Sequence, residues 1–413
     1  MTAATTRFVV TADNQGGWDY GANRGPYSKF HVANGAKYCI YNNRLMPVTQ
    51  KIDRTDGYWL LRQKAGLFDT GERPIEISGP DAEKFCNKVF TRDVSKLKPG
   101  RAGYGLLCYP DGTLLCDGVL LRHEKNRFWY VQAEGPVYSW LIAHAQEFDV
   151  KISDPNSWVA QVQGPAALEI LDNLLDGGAP KSFPYFSVAP AIVKGQKVLV
   201  SRTGWTNELG FEFYTLPDQP KYDPEALWNA VLAAGKPFGL GVCGLDSMEV
   251  RRIEAGILNN GSDMDDTMTP FEAGLERFVD FSKPDFIGKA ALVARKAENR
   301  LIGLVAEGGE PVREGDVRLG GKRVGFVTAA AFSPFLNAGT AIVRLDRPLA
   351  EGTKVQVLGR DGAFHDATLS NLPLYDKERA IPRGLSADIP ENPQKKSAAK
   401  RTNARAKAPA LQR

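Results

Sequence analysis

The chain has 413 residues, of which 43% are apolar and 24% charged, an ordinary composition for a globular protein. This length exceeds what one hydrophobic core supports, so we expect two or three domains. The formal net charge of +4 depends on a basic C-terminal run at residues 395–413, without which the chain has a small negative net charge. We therefore expect no nucleic-acid partner.

Cysteines and histidines are placed in a way that argues against metals and disulfides. The five cysteines form no C-x-x-C pair, and the four histidines are scattered without ligand spacing. The N-terminal residues reach a charge and several glycines too early for a secretory signal, and no apolar run has membrane-spanning length. We expect a reduced, cytoplasmic enzyme without metal, disulfide or membrane anchor.

The first part of the chain predicts extended structure followed by an α+β unit. The first fifty residues are rich in Gly, Asn and aromatic side chains and predict extended structure and loops that end in a strand at 37–40. In the next unit, Pro110, Asp111 and Gly112 predict a hairpin turn. Its helices are predicted at 58–66, 81–89 and 137–147, and its strands at 74–78, 104–109, 114–122 and 128–132.

The second half repeats this pattern and then changes to β-structure. A Gly-Pro turn precedes a helix at both 79–80 and 164–165, which suggests an internal duplication. Short strands separated by glycine turns over residues 301–374 predict a small β-barrel. The other helices are predicted at 164–174, 224–234 and 271–278, and the other strands at 158–162, 191–193, 197–202 and 211–215.

Two acidic residues occupy unusual positions. Asp117 interrupts an otherwise apolar strand, where an ionised carboxylate is unfavourable unless it has a partner. Asp117 either caps a backbone turn or sits on the solvent face, or else it faces a ligand. Glu208 lies in a glycine-flanked segment beside Trp205, where a carboxylate can accept two parallel N–H bonds from an amidine-like edge. A solvated turn acid is the alternative for Glu208.

The segment around Glu208 carries a family resemblance. Residues 203–212 read TGWTNELGFE and resemble the T-G-Y-T-G-E-x-G-F/Y-E signature of the glycine-cleavage T-protein (aminomethyltransferase) family. Further segments resemble the family in the same order, at residues 66–69, 104–117, 163–165, 252–256, 269–273 and 325–328.

This resemblance implies an α+β fold with three domains in a clover-leaf arrangement around tetrahydrofolate. It assigns residues 1–54 and 151–290 to a folate-binding domain, 55–150 to a second α+β domain, and 291–385 to a C-terminal β-barrel. Residues 386–413 are predicted to be a disordered basic tail. By this resemblance Asp117 and Tyr104 are catalytic at the reacting nitrogen. The implied cofactor-binding residues are Glu208, Trp205, Tyr104, Asp117 and Gln132.

Several departures point to a subgroup of the family. Cys116 replaces the first acid of the usual pair, and residues 248–249 read Met-Glu where the family has Arg-Asp. Residues 41–47, 71–73 and 249–254 are more similar to dimethylsulfoniopropionate demethylase and to aromatic O-demethylases. The implied substrate-binding residues are Tyr41, Arg73 and Trp18.

The expected function is transfer of a methyl group from a small sulfonium or methoxy-aromatic donor to N5 of tetrahydrofolate. Three alternatives stay open: a folate-independent lyase that releases formaldehyde from a lignin-derived aromatic, an aminomethyltransferase acting on a methylated amine, and a non-catalytic folate-binding protein. The expected partners are the donor and tetrahydrofolate, and a homodimer is compatible with the sequence.

Overall fold

The computed structural model describes residues 10–11, 22–295, 297–386 and 388–392. Trp18 and the tail beyond residue 392 lie outside the described residues. The α-helices are α1 (Ser28–Ala33), α2 (Arg54–Gln63), α3 (Ala82–Val89), α4 (Val137–His144), α5 (Ala167–Leu174), α6 (Pro224–Gly235), α7 (Leu245–Ala255) and α8 (Lys289–Ala294). Short 3-10 helices lie at Val94–Lys96, Lys236–Phe238 and Glu276–Phe278.

The strands form three open sheets and one closed barrel. A three-stranded sheet contains β1 (Val10–Thr11), β2 (Lys37–Tyr41) and β3 (Arg44–Thr49). A six-stranded sheet has the order β11 (Val188–Val193), β12 (Gln196–Ser201), β13 (Gly210–Thr215), β10 (Val159–Gln163), β4 (Gly66–Asp69) and β14 (Gly241–Val242). A five-stranded sheet has the order β6 (Arg101–Cys108), β7 (Leu114–Glu124), β8 (Arg127–Gln132), β5 (Ile75–Ser78) and β9 (Lys151–Ser153).

The closed barrel confirms the C-terminal prediction. Its strand order is β15 (Leu301–Ala306), β18 (Ala338–Leu345), β17 (Lys322–Ser333), β16 (Asp316–Leu319), β19 (Lys354–Leu358) and β20 (Phe364–Ser370), and β20 pairs back with β15. Leu304, Val343 and Val357 are fully buried inside it. Closure leaves no unpaired edge strand in this part of the chain.

The six-stranded sheet has a helical layer on one face. Helices α5 and α6 contribute Ile170, Leu171 and Trp228 to a core that also contains Leu67 and Phe213 from the strands. The sheet is antiparallel except where β14 runs parallel to β4. Burial of one apolar sheet face under helices is the expected arrangement for an α+β fold.

The five-stranded sheet is built on the predicted hairpin. Strands β6 and β7 join through Gly112, whose φ of +83° suits glycine at the turn. Helices α3 and α4 pack Phe85, Val89 and Leu141 against this sheet in a second core. The hairpin sets Asp117 opposite Leu106 and Gly118 opposite Gly105.

Three helix predictions need correction. Helix α2 begins earlier than predicted because Asp53 caps it, accepting hydrogen bonds from the backbone N–H groups of Thr55 and Asp56. The predicted helix at 271–278 is a series of turns with one 3-10 turn, since Gly274 has a φ of +68°. Helices α1, α7 and α8 occupy residues for which no helix was predicted.

Sheet membership differs from the predicted domain division at two strands. Strand β4 lies in the predicted second domain but pairs with β10 of the six-stranded sheet. Strand β9 begins after the predicted boundary at residue 150 but pairs with β5 of the five-stranded sheet. The domain boundaries themselves stay a prediction.

Candidate functional site

Asp117 and Tyr104 form a hydrogen-bonded pair on adjacent strands. The hydroxyl of Tyr104 on β6 donates to Oδ2 of Asp117 on β7 at 2.6 Å. The other carboxylate oxygen, Oδ1, is buried and has no partner among the described residues. A buried acceptor without a partner is unfavourable and is typical of a position that a ligand completes.

Burial changes the acidity of Asp117. Loss of solvent raises the pKa of its carboxyl from 3.8 to about 6, and Asp263 acts in the same direction. The hydrogen bond from Tyr104 opposes this shift because it stabilises the carboxylate. A carboxyl with a pKa of about 6 can take up a proton close to neutral pH.

A small cavity, the inner cavity, lies on one side of this pair. Its volume is about 80 Å³, and Asp117 and Glu72 contribute two carboxyl groups to its wall. The lining contains no Lys, Arg or His. The lining residues are Tyr41, Met46, Thr70, Glu72, Asp117, Ala133, Gln161, Trp205, Leu245, Met248, Leu258, Asn259 and Asn260.

A larger cavity, the outer cavity, lies on the other side. It has a volume of about 390 Å³, and Trp205 and Leu258 line both cavities. Tyr104 lines the outer cavity and Asp117 the inner one, so their hydrogen bond lies at the junction. Three arginines, Arg92, Arg277 and Arg379, line the outer cavity. The two cavities thus differ in charge, basic on one side and acidic on the other.

Close packing of glycines shapes the segment that carries Trp205 and Glu208. A Cβ atom on Gly204 or Gly210 would lie 2.2 Å from Oε1 of Gln163. The Gln163 side chain donates to the Thr203 carbonyl oxygen at 3.1 Å and accepts from the Thr206 hydroxyl at 2.9 Å. The Gln163 side chain fills the space beside Gly204 and Gly210, so the segment at residues 203–212 needs glycine at these positions to pack against the Gln-Gly-Pro segment at 163–165.

Glu208 lies in a buried group of four charges, the charge quartet, formed by Arg62, Glu208, Arg251 and Glu254. Its Oε1 lies 2.8 Å from Nε of Arg62 and 2.7 Å from Nε of Arg251. Glu254 contacts the same two arginines at 3.5 and 3.1 Å. Burial raises the pKa of Glu208, and the two arginines oppose that shift. Glu208 is not among the residues lining the inner or outer cavity.

The remaining predicted residues separate into two locations. Tyr41 lines the inner cavity, whereas Gln132 and Arg73 line a third cavity of about 650 Å³, the side cavity. Arg73 pairs there with Asp154 at 2.6 Å. The substrate-binding roles of Tyr41 and Arg73 stay predictions. Gln132 therefore lies outside the cavities that Trp205 and Tyr104 line, although it pairs with Gly118 on β7 next to Asp117, and its part in folate binding stays a prediction.

Sequence reasoning did not single out Glu72, Gln161 or the outer-cavity arginines. Glu72 belongs to the Gly-Glu-Arg segment at 71–73 that departs from the wider family, and this departure was the available signal. Gln161 and Arg379 come from distant parts of the chain without a local motif. Among the described residues, no group of three His, Cys, Asp or Glu side chains is placed to hold a metal ion. The described helices include none that is long and apolar enough to span a membrane.

Known protein families match most of the chain. Residues 27–283 match the GCVT N-terminal domain, and residues 299–376 match the glycine cleavage T-protein C-terminal barrel domain. An aminomethyltransferase of Streptomyces coelicolor is 34% identical over 367 residues, covering 84% of this chain and 96% of the relative. An aminomethyltransferase of Bacillus subtilis is 36% identical over 309 residues, covering 72% of this chain and 84% of the relative.

Two further relatives bear on fold and chemistry. A trimethylamine-oxide aldolase of Ruegeria pomeroyi is 33% identical over 379 residues, covering 83% of this chain but 47% of the relative. The crystal structure of the glycine cleavage system aminomethyltransferase T from Bartonella henselae superimposes with a TM-score of 0.76 at 25% identity, covering 86% of this chain and 98% of that one. The chain therefore belongs to the aminomethyltransferase family, enzymes that transfer one-carbon units and use tetrahydrofolate as a substrate.

Proposed function

We propose that this chain is a tetrahydrofolate-dependent demethylase that moves a methyl group from a small sulfonium or methoxy-aromatic donor to N5 of tetrahydrofolate. The observation that carries the proposal is the Tyr104–Asp117 pair at the junction of the inner and outer cavities. The donor occupies the inner cavity, tetrahydrofolate the outer cavity, and the methyl group passes between them beside Asp117.

The charges of the outer cavity support a folate ligand. A reduced folate ends in a glutamate and is anionic, and Arg92, Arg277 and Arg379 supply positive charge along this cavity. Trp205 offers a flat surface at the junction for a pterin ring. Arg62 and Arg251 contact Oε1 of Glu208, so we infer that Glu208 binds the pterin edge through Oε2.

The reaction needs no redox change. The methyl carbon leaves its sulfur or oxygen without the bonding electrons and forms a bond to the lone pair of N5, and the N5 proton passes to Asp117. Oδ1 of Asp117 is free to face the positive charge that develops at nitrogen, while Tyr104 fixes Oδ2. Alignment of donor and acceptor in adjoining cavities supplies most of the rate enhancement, since such positioning contributes roughly 7 to 11 kcal/mol.

Product analysis with and without tetrahydrofolate tests the proposal. Incubation with a methylated sulfonium or a methoxy-aromatic compound should give methyl-tetrahydrofolate, and should consume no donor when folate is omitted. Asp117→Asn should lower the rate at least a hundredfold, and Tyr104→Phe should lower it about tenfold. Asp218→Asn, an identical change at an exposed position, is the control that should keep the wild-type rate.

A folate-independent lyase that releases formaldehyde is the second candidate. The similarity to a relative named trimethylamine-oxide aldolase favours it, since that name describes cleavage of a methylated nitrogen compound. A second incubation, with trimethylamine oxide or a hydroxymethyl-bearing aromatic, separates the two candidates, because these compounds can release formaldehyde without an external oxidant. Free formaldehyde formed at equal rates with and without tetrahydrofolate would support the lyase and exclude methyl transfer.

A further inference from the structure

The polar atoms of the inner cavity are arranged for a ligand that brings positive charge. Two carboxyl groups, those of Asp117 and Glu72, line it without any basic side chain. Among its lining residues, the buried side-chain atoms without a hydrogen-bond partner are Oδ1 of Asp117 and Oε1 of Gln161. Both are acceptors, so a matching ligand presents donors or positively polarised C–H groups.

The carboxylate of Glu72 is held in place by neutral groups. Its Oε2 accepts from the Thr70 hydroxyl at 3.2 Å, and its Oε1 accepts from Nε2 of Gln161 at 3.3 Å. Nε2 of Gln161 also donates to Glu212 at 2.8 Å, so the amide connects two acids. Burial and the nearby carboxyl of Glu212 raise the pKa of Glu72 well above its ordinary value, whereas the hydrogen bonds from Thr70 and Gln161 favour the ionised form, which a cation in the inner cavity would favour further.

The arginines near Glu72 are engaged elsewhere. Nη1 of Arg44 donates at 2.6 Å to the backbone carbonyl oxygens of Glu72 and Ser157, and its guanidinium stacks 3.9 Å from the centre of the Trp158 ring. Arg73 pairs with Asp154 in the side cavity. Within the described part of the chain, the Glu72 carboxylate therefore has no ion-pair partner.

We propose that Glu72 is the specificity-determining residue for the methyl donor, and that it selects a donor whose methyl-bearing atom carries a positive charge, a sulfonium or a methylated ammonium. This inference rests on the proposed function; it excludes the methoxy-aromatic donors, keeps the sulfonium and adds methylated ammonium donors. A cationic donor leaves as a neutral sulfide or amine and needs no proton. A methoxy-aromatic donor leaves as a phenolate and needs an acid.

The hydroxyl groups near the inner cavity are poor acids. Burial and the neighbouring acids Glu72 and Asp117 raise the pKa of Tyr41 well above its ordinary value. Burial and Asp117 do the same to Tyr104, whose proton is already donated to Asp117. Neither tyrosine is therefore suited to protonate a departing phenolate, which supports the cationic donor on separate grounds.

Binding of a cation and of a neutral molecule of similar size tests this inference. We expect the wild-type protein to bind tetramethylammonium at least tenfold more tightly than tert-butanol, as measured by calorimetry or by ligand-observed NMR. Glu72→Gln should reduce tetramethylammonium binding at least tenfold and leave tert-butanol binding unchanged, and Glu72→Asp should restore part of it. Glu169→Gln, which removes an exposed charge on α5, is the control.

The wild-type comparison can still overturn the inference if Glu72→Gln does not fold, and Glu72→Asp then tests whether the preference depends on Glu72. Equal binding of the two probes, or a folded Glu72→Gln variant with unchanged cation affinity, would overturn the inference. Methyl-tetrahydrofolate formed only from a neutral methoxy-aromatic, without cation binding, would refute the inference while the proposed function stands. Cation selectivity that depends on Glu72, together with no methyl-tetrahydrofolate from any donor, would refute the proposed function instead.

Discussion

At the scale of single residues, the proposed methyl transfer depends on the charge state of Asp117. The carboxylate is the form that can face a developing positive charge at N5 and accept its proton. Burial raises the pKa of this carboxyl to about 6, so the active form is lost in mildly acidic solution.

This pKa predicts the pH dependence of the rate. Single-turnover methyl transfer should fall about tenfold per pH unit below pH 6 and should level off above pH 7. Rapid-quench measurement of methyl-tetrahydrofolate between pH 5 and pH 8 checks it. A rate that increases as the pH falls through this range would show that Asp117 acts as an acid.

The raised pKa of Asp117 also makes the stability of the fold depend on pH. Stability falls as the pH rises, whereas the rate increases. Because the folded-state pKa lies above the unfolded value of 3.8, the unfolded chain loses the proton first as pH rises. Asp117 therefore destabilises the fold progressively between pH 4 and pH 6, by roughly 3 kcal/mol once fully ionised. Asp117→Asn should raise the free energy of unfolding at pH 8 and change it little at pH 4, as measured by urea denaturation.

At the scale of elements, the hairpin of β6 and β7 places the reactive pair through a close contact at Gly118. A Cβ atom there would lie 2.4 Å from the Val131 carbonyl oxygen and 2.9 Å from the Tyr130 ring. Glycine thus lets β8 and the Tyr130 ring approach the strand directly after Asp117.

Gly118→Ala should therefore destabilise the protein and disturb the site together. We expect a loss of about 1 to 3 kcal/mol in the free energy of unfolding, as for other overpacked cores, and a reduced rate of methyl transfer. Gly309→Ala is the matched control, since a Cβ atom at Gly309 meets no atom within 4 Å. Equal stability of the two variants would contradict this description of the hairpin.

The elements differ in how far the sequence predicts them. The hairpin carries a clear turn signal and alternating strands, and it lies where expected. Helix α7 gives no apolar stripe because Arg251, Arg252 and Glu254 point into the protein and are buried. Its helical period is hidden because these charges are buried by partners from elsewhere in the chain, such as Glu208 for Arg251 and Arg62 for Glu254, as well as by neighbours in the helix.

At the scale of the whole molecule, the charge quartet connects units distant in sequence. Arg62 comes from α2, Glu208 from the signature segment, and Arg251 and Glu254 from α7. Ser333 of the barrel donates to Glu254 at 2.6 Å. The barrel, α7 and the segment bearing Trp205 therefore share one buried network.

Removal of one member should destabilise the protein strongly. Arg251→Met leaves two buried acids with a single arginine, and we expect a loss of about 3 to 5 kcal/mol in the free energy of unfolding. Arg295→Met removes an arginine whose side chain is 52% exposed and should change it by less than about 1 kcal/mol. Thermal denaturation of both variants measures the difference, and similar values would argue against a coupling role for the quartet.

In the site, as in the elements, residues with a local sequence signal were predicted, and residues whose surroundings come from distant parts of the chain were missed. Asp117, Tyr104, Trp205 and Tyr41 were predicted from strand context and family resemblance, and the fold brings all four to the two adjoining cavities. Glu72 and the outer-cavity arginines were missed because their surroundings depend on tertiary packing. Arg62 and Arg251, the partners of Glu208, were missed for the same reason. They occupy Oε1 of the carboxylate that was predicted to bind the pterin edge.

A crystal structure of the protein with 5-methyltetrahydrofolate tests the central claim most directly. The account predicts the pterin beside Trp205 in the outer cavity, with N5 within hydrogen-bond reach of Asp117, about 2.6 to 3.2 Å, and its methyl group directed into the inner cavity. A pterin bound away from Asp117, or one whose N5 methyl group faces away from the inner cavity, would contradict it.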